Sequence, residues 1–260
     1  MFRLFCLGWV LLASQVMAAD FRFGINAEVS YRESEAEVRQ RYAPLLQELG
    51  RLTGHQFNFV PVYSDRVAQA VSGRGMDFLL IHTHAALKAE KDYKYQVVGF
   101  TQDRQNNQVY FMVQPQDPAR SLADIASARI GVPGMQSWAT ATALGALRQV
   151  QVAQPNLVPT RYSDAVPLMV ELHSAQVAVT RSKKLVDDAV TQKKMKVLHV
   201  TSALPLNALI ASAAVPTPVV TKVREALTSL SNSQVFDAIA FTGLTYSAEQ
   251  SRNLHEFYQP

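Results

Sequence analysis

Short runs of β-branched and aromatic residues alternate with amphipathic, helix-patterned segments from Phe21 to Ser231, and this alternation restricts the chain to an α/β fold with largely parallel sheets. In the first half, strands are expected at Phe21–Ile25, Gln56–Val62, Asp77–Ile81, Gln96–Thr101 and Val109–Val113. Helices are expected at Ser34–Leu52, with Thr53-Gly54 as the stop signal, at Asp65–Val71 and at Thr83–Glu90. Pro44 should kink the first of these helices or mark the start of its second half. The second half repeats the pattern, with strands at Arg129–Val132, Leu157–Tyr162, Gln176–Thr180, Val197–Val200 and Ala208–Ser212. Its helices are expected at Ser137–Gln149, Ala165–Leu172, Lys183–Thr191 and Thr217–Ser231, and the tail through Phe236, Ile239, Phe241 and Leu254 should pack as a helical cap.

Two segments break the alternation. The polar, proline-bearing Gln114-Pro115-Gln116-Asp117-Pro118 reads as a crossing between two lobes, and 202–207 reads as the return crossing. The expected organisation is residues 20–114 plus 204–260 as a first lobe and 115–203 as a second.

A leader precedes both lobes. Arg3 supplies a positive start, Leu4 to Ala13 is apolar apart from Gly8, and Val16-Met17-Ala18 offers small residues where a signal peptidase reads. The apolar run is shorter than the roughly 20 residues that span a bilayer. Residues 1–19 are therefore expected to be a cleaved signal. Cleavage removes Cys6, the only cysteine, so the exported chain has no disulfide, thiol nucleophile or cysteine metal ligand. A chain of this size that is 48% hydrophobic can hold itself together with its core alone.

The net charge of +4 falls by one when Arg3 leaves, which favours anionic ligands mildly. No basic run with interleaved aromatics is present, which argues against nucleic acid; Lys193-Lys194-Met195-Lys196 reads as a solvated helix end. The sequence also lacks a G-x-S-x-G elbow, H-E-x-x-H, a P-loop and G-x-G-x-x-G, so no enzyme activity and no cofactor are expected.

Several segments carry a family resemblance. Tyr42-Ala43-Pro44-Leu45-Leu46 with Leu49 and Thr53-Gly54, Tyr63-Ser64-Asp65 followed by Ala70-Val71, Gly73 and Met76-Asp77-Phe78, Ser121-Leu122-Ala123-Asp124-Ile125 with Arg129-Ile130-Gly131-Val132, and Lys222-Val223-Arg224-Glu225-Ala226-Leu227 stand in order. Together they resemble the phosphonate-type periplasmic substrate-binding proteins of phosphate/phosphite/phosphonate ABC importers, across roughly residues 21 to 245. The resemblance implies a periplasmic binding protein-like fold, two α/β lobes joined by two crossing strands with a ligand cleft between them. It also implies a periplasmic location and capture of a small anionic ligand for a membrane permease of an ABC importer. A monomer is expected. The rival reading is a sensory or accessory protein that reports its ligand to a sensor kinase without transport.

In open α/β sheets ligands sit beyond the carboxyl ends of the strands. Here those ends carry Tyr31 and Arg32, Ser64, His82, Thr83 and His84, the Pro133 to Thr140 loop, Tyr162, and Thr180 with Arg181. In the loop, Gln136, Ser137, Trp138 and Thr140 open a helix whose unpaired N–H groups suit an oxyanion. Ser137 also suits the helix N-cap alone, and Trp138 suits the core as well as a ligand wall. One of His82 and His84 is expected to face the ligand, because successive residues of an extended chain point opposite ways. Two histidines also suit a metal ion, but no carboxylate or cysteine lies beside them in sequence, and no metal is expected. The family's P-x-S-T-S-G run reads Pro133-Gly134-Met135-Gln136-Ser137-Trp138 here, which keeps one of three hydroxyls and leaves room for an organic ligand or a different anion. Tyr162-Ser163-Asp164 stands where the family has a histidine-containing turn, and Ser174 to Ala178 offers no counterpart to its acidic residue.

Overall fold

The computed structural model describes residues 18–27 and 34–259. The expected signal at 1–19 and the candidates Tyr31 and Arg32 fall wholly or mostly outside the described residues.

The elements fall into two sheets. Strands β1 (Asp20–Ala27), β2 (Gln56–Tyr63), β3 (Phe78–His82) and β4 (Gln96–Asp103) alternate with helices α1 (Glu35–Thr53), α2 (Val67–Ser72) and α3 (Thr83–Tyr93). With β10 (Asn207–Ala211) and β11 (Phe241–Thr245) these strands form a six-stranded sheet of order β11-β4-β10-β3-β1-β2. The second sheet, β7-β6-β8-β5-β9, is built from β5 (Tyr110–Val113), β6 (Arg129–Pro133), β7 (Asn156–Thr160), β8 (Val177–Thr180) and β9 (Lys196–Val200). Helices α4 (Trp138–Gln149), α5 (Val166–Glu171) and α6 (Lys183–Thr191) cover it, and α7 (Thr217–Ser229) returns to the first lobe. This is the two-lobed arrangement that the alternation and the resemblance implied.

Each sheet is covered on both faces, which is why its central strands read as unbroken apolar runs. In the first lobe, Phe21, Phe23, Phe57 and Phe78 pack with ring centroids 5.5 to 6.1 Å apart under α1 and α7. Leu79, Ile81 and Phe100 fill the opposite face, toward α2 and α3. Helix α1 starts on a capping box in which the Ser34 side chain accepts from Glu37 N–H while Glu37 reaches back to Ser34 N–H. It ends at Gly54, whose φ of 73° favours glycine. Pro44 does not divide α1; the helix runs through it unbroken, with buried Leu45 and Leu46 on one side of the proline.

Three expectations are corrected. The sheets are mixed rather than largely parallel, because β5 and β10 enter each sheet from a crossing and run against β8 and β3. The first crossing lies at residues 104–109, not at Gln114–Pro118, because β5 already pairs with β8 and β9. The first-lobe boundary therefore precedes Tyr110 rather than following Gln114. The tail is not all helix: β11 pairs antiparallel with β4 at the sheet edge before α8 (Ala248–Tyr258) begins.

The two crossings hydrogen-bond to one another. Val109 N–H donates to Thr201 Oγ1 at 3.0 Å, Thr201 N–H to Val109 O at 3.0 Å, and Leu204 N–H to Asn107 O at 3.0 Å. Helix α8 makes a further tie. Leu254 lies in the first lobe's core and His255 Nε2 meets Glu90 Oε2 of α3 at 2.6 Å. The next turn reaches the second lobe, where Tyr258 Oη pairs with Thr142 Oγ1 at 3.0 Å and Arg148 Nη2 donates to Phe257 O at 2.7 Å. Among the described residues no helix is long and apolar enough to cross a membrane.

Candidate interlobe ligand site

Strand direction brings the candidate residues into one place. Strand β4 ends at the first crossing, and β1, β2 and β3 run the same way, so their carboxyl ends point toward the second lobe. Strand β5 leaves the crossing, and β8, β6 and β7 oppose it, so their carboxyl ends point back toward the first lobe. His82, Thr83 and His84 therefore confront the Pro133 to Thr140 loop. The contact is direct: His84 Nε2 lies 3.2 Å from Gln136 O.

The loop is shaped by local chemistry. Gly134 adopts φ of 62° with open space around its missing side chain, so the backbone conformation, not crowding, calls for glycine. Its N–H donates to Thr160 O at 2.9 Å, tying the loop to β7. Ser137 is the N-cap of α4: its Oγ accepts from Thr140 N–H at 3.1 Å and donates to Thr140 Oγ1 at 2.9 Å. Thr140 Oγ1 in turn donates to Gly134 O at 2.8 Å. Both hydroxyls are thus engaged inside the loop, and the first turn of α4 presents the positive end of a helix dipole.

On the facing loop the two histidines differ. His82 Nδ1 lies 3.0 Å from Asn207 Oδ1 on β10, whereas His84 turns to the second lobe. The rings are stacked with centroids 6.1 Å apart. Burial, and then the neighbouring His82, push the His84 imidazole down to about 4, against the opposing pull of the Gln136 carbonyl. His84 is therefore neutral, with Nε2–H donating to Gln136 O and a bare, buried Nδ1 that has no partner.

The remaining candidates sort by exposure. Thr83 is fully buried, its Oγ1 donating to Pro205 O at 2.7 Å and its N–H to Leu206 O at 3.0 Å, so it grips the return crossing. Thr140 and Thr180 are also buried, and Thr180 Oγ1 accepts from Ser182 N–H at 3.1 Å. Trp138 is 1% exposed and packs in the second lobe's core; its Nε1 approaches the Tyr258 hydroxyl without a hydrogen bond of normal geometry. Burial pushes that Tyr258 hydroxyl well above the usual tyrosine range. Gln136, Ser64 and Tyr162 are exposed, and Ser64 Oγ donates to Asn26 Oδ1 at 3.2 Å. Tyr162 is 58% exposed, with the Arg161 guanidinium 5.8 Å from its ring centre.

Sequence reasoning missed Asn207 and Tyr258. Asn207 is legible only through the antiparallel register that sets it opposite His82, and Tyr258 only through the path of α8. The carboxylate nearest the crossings, Asp103, accepts from Leu206 N–H at 2.8 Å. Burial holds its carboxyl above the usual range, against the contrary pull of that N–H, the Thr101 and Asn107 side chains and Arg181. Among the described residues no group of three or more histidine, cysteine or acidic side chains is placed to hold a metal. The arrangement offers a helix start, two imidazoles, of which that of His84 is neutral, and an exposed aromatic, which suits reversible binding.

Comparison with known proteins gives the same picture. The sequence model of a family described as "ABC transporter, phosphonate, periplasmic substrate-binding protein" matches residues 29–251. No curated protein sequence matches. Among solved structures, a Xanthomonas citri protein bound to chloride superposes with a TM-score of 0.67 at 15% identity, covering 92% of this chain and 96% of that one. A binding-protein component of a phosphonate ABC transporter from Pseudomonas aeruginosa gives 0.59 at 16% identity, over 93% and 87%. PhnD1 from Prochlorococcus marinus in complex with methylphosphonate gives 0.60 at 11% identity, over 92% and 96%. At these identities the solved structures speak for the fold.

Proposed function

The chain belongs to the family of periplasmic substrate-binding proteins of phosphonate ABC transporters, and on that footing we propose that it captures a small anionic solute between its lobes. The captured ligand is a phosphonate- or phosphite-like oxyanion or an organic anion, delivered to the membrane permease of an importer. The observation that carries this reading is the start of α4 facing the His82–His84 loop across the lobe interface, in contact at His84 and Gln136. The positive end of the helix dipole favours an anion there without a lysine. Closure around the ligand is a shift in population between lobe arrangements, bending at 104–109 and 201–206.

The site has room for an organic portion beside the oxyanion. Only Ser137 remains of the family's three loop hydroxyls, and that hydroxyl is engaged as a cap. Met135 and Tyr162 stand exposed beside it, on strand ends tied together by the Gly134–Thr160 hydrogen bond. We read the leader as cleaved before Ala19 or Asp20, which N-terminal sequencing of exported protein checks.

The test is a thermal-shift screen of the purified protein against phosphate, phosphite, methylphosphonate, sulfonates and small carboxylates. Solved relatives of this fold hold methylphosphonate and ATP, so phosphorus oxyanions lead the panel. A ligand at a hundred times its Kd stabilises the native state by about 2.7 kcal/mol. Trp138 follows the N-cap directly, so a hit should change its emission. A tight ligand that leaves this emission untouched and survives combined Ser137→Ala and His82→Ala substitution would place the site elsewhere. If no anion raises the melting temperature, capture of a small anion is wrong.

A further inference from the structure

We propose that Asn207, on the return strand β10, is a positioning residue of the cleft that sets the tautomer and heading of His82. The inference rests on the reading of the cleft as the ligand site. Its core, however, is a property of the ligand-free protein.

Antiparallel pairing of β10 with β3 places Asn207 opposite His82, and the two side chains meet at 3.0 Å through Oδ1 and Nδ1. The root of Asn207 is fixed on both sides by Thr101, itself buried. The Thr101 hydroxyl accepts from Asn207 N–H at 3.1 Å and lies 3.1 Å from Asn207 O. Next door, Thr83 holds Pro205 O and Leu206 O, while Asp103 holds Leu206 N–H. The histidine loop is thereby tied to residues 205–207, the last residues of the return crossing and the first of β10. A bend at the hinge must carry His82 with it.

The chemistry of the contact is directional. An amide oxygen only accepts, so the His82 nitrogen facing it must carry the hydrogen. A neutral imidazole has one N–H, and Asn207 therefore selects the Nδ1–H tautomer of His82. His84 is held the opposite way, as Nε2–H, by the carbonyl of Gln136 from the other lobe. Two stacked imidazoles are thus fixed in opposite tautomers, one by the hinge strand and one by the facing lobe.

Long-range 1H–15N spectra of the ligand-free protein at pH 7.5, with His82 assigned through His82→Gln, test this. His82 is expected to show a protonated Nδ1 and an unprotonated Nε2. Asn207→Ala should move it to the Nε2–H form, and Asn207→Asp, nearly isosteric, should keep Nδ1 protonated. Loss of one neutral hydrogen bond on a site residue should weaken methylphosphonate binding up to about tenfold in Asn207→Ala. No further loss is expected when Asn207→Ala is added to His82→Gln. An Nε2–H wild type, which would mean the Asn207 amide presents its NH2 group, overturns the proposal, as does a tautomer unchanged in Asn207→Ala. Weaker binding in Asn207→Ala with an unchanged tautomer would also overturn it, because the residue would then be merely structural. If no panel anion binds the wild type, the proposed function fails, while the tautomer still decides the role of Asn207.

Discussion

The imidazole of His84, on the first lobe, donates from Nε2 to the main-chain oxygen of Gln136, on the second, at 3.2 Å. The other nitrogen of the same ring is buried with nothing to bond. The cost of charging this histidine therefore falls on Nδ1, since the Nε2–H bond to Gln136 survives in the imidazolium. Protonation would place a second N–H where no acceptor waits, at a cost comparable to a lost buried hydrogen bond.

A pH dependence follows from the depressed His84 value of about 4, set chiefly by burial. The unfolded chain takes up its proton near pH 6.5, whereas the folded chain resists until about 4. Below pH 6.5 the unfolded state thus binds more protons, and stability falls as pH drops through that window. The contribution is at most about 1.4 kcal/mol per pH unit. His55 and His199, also lowered by burial, act in the same direction. The difference between wild type and His84→Gln isolates the His84 share: urea unfolding at pH 7.5, 6 and 5 should give a shallower decline in the variant. Equal slopes would mean that His84 is hydrated and free to charge.

Ser137 separates two roles that share one hydroxyl. As N-cap it stabilises α4, and Ser137→Ala should cost about 1 kcal/mol in urea unfolding. Ser137→Asp keeps a capping acceptor for Thr140 N–H and suits the helix dipole, so its stability should stay close to wild type. A carboxylate at the mouth of an anion site repels the ligand, and affinity for the best anion of the panel should fall by tenfold or more. Calorimetric titration of the three proteins checks this. Retained affinity in Ser137→Asp would remove the loop from the ligand site.

Tyr162 supplies exposed aromatic surface at the end of β7, with Arg161 against its ring. If it covers the organic part of the ligand, Tyr162→Ala should weaken organic anions and leave inorganic phosphate or phosphite unchanged. Loss of one ring face corresponds to roughly 1 kcal/mol, or about fivefold in Kd. An equal effect on both ligand classes would show that the ring supports the loop instead.

The fold was legible where a single element carries its own signal. Ser34 with Glu37, Gly54 and the Phe21-to-Ile25 alternation announce α1 and β1 without reference to anything distant. Pro44 does not end α1, because a proline in a helix interior removes one hydrogen bond and buried neighbours such as Leu45, Leu46 and Leu49 hold the helix on the core. The first crossing was misplaced because polarity marks Gln114–Pro118 while the actual crossing precedes Tyr110. Only strand pairing reveals which sheet owns β5. The candidate loops around His82 and Ser137 were legible from strand-end logic. The partners that fix them, Asn207 for His82 and the Gln136 carbonyl for His84, lie 125 and 52 residues away in sequence and leave no local pattern.

The same holds for the alanine- and threonine-rich face of α4, which reads as an ordinary helix until α8 lies on it. A Cβ on Gly145 would stand 2.4 Å from the ring of Phe257, so the absent side chain is what lets the last turn of α8 dock. Two opposing effects decide the outcome of Gly145→Ala. Helix propensity favours alanine by about 1 kcal/mol, whereas overpacking a filled contact costs about 1 to 3 kcal/mol. With Phe257 in place the variant should be less stable than wild type, and the ligand-free protein should expand in solution scattering as α8 releases the second lobe. In a Phe257→Ala background the obstruction is gone and only propensity remains, so the same substitution should stabilise by about 1 kcal/mol. That reversal of sign, read from a urea double-mutant cycle, is specific to contact between these two residues. If Gly145→Ala has the same sign in both backgrounds, α8 does not rest on α4 there, and the lobes are joined by the two crossings without it.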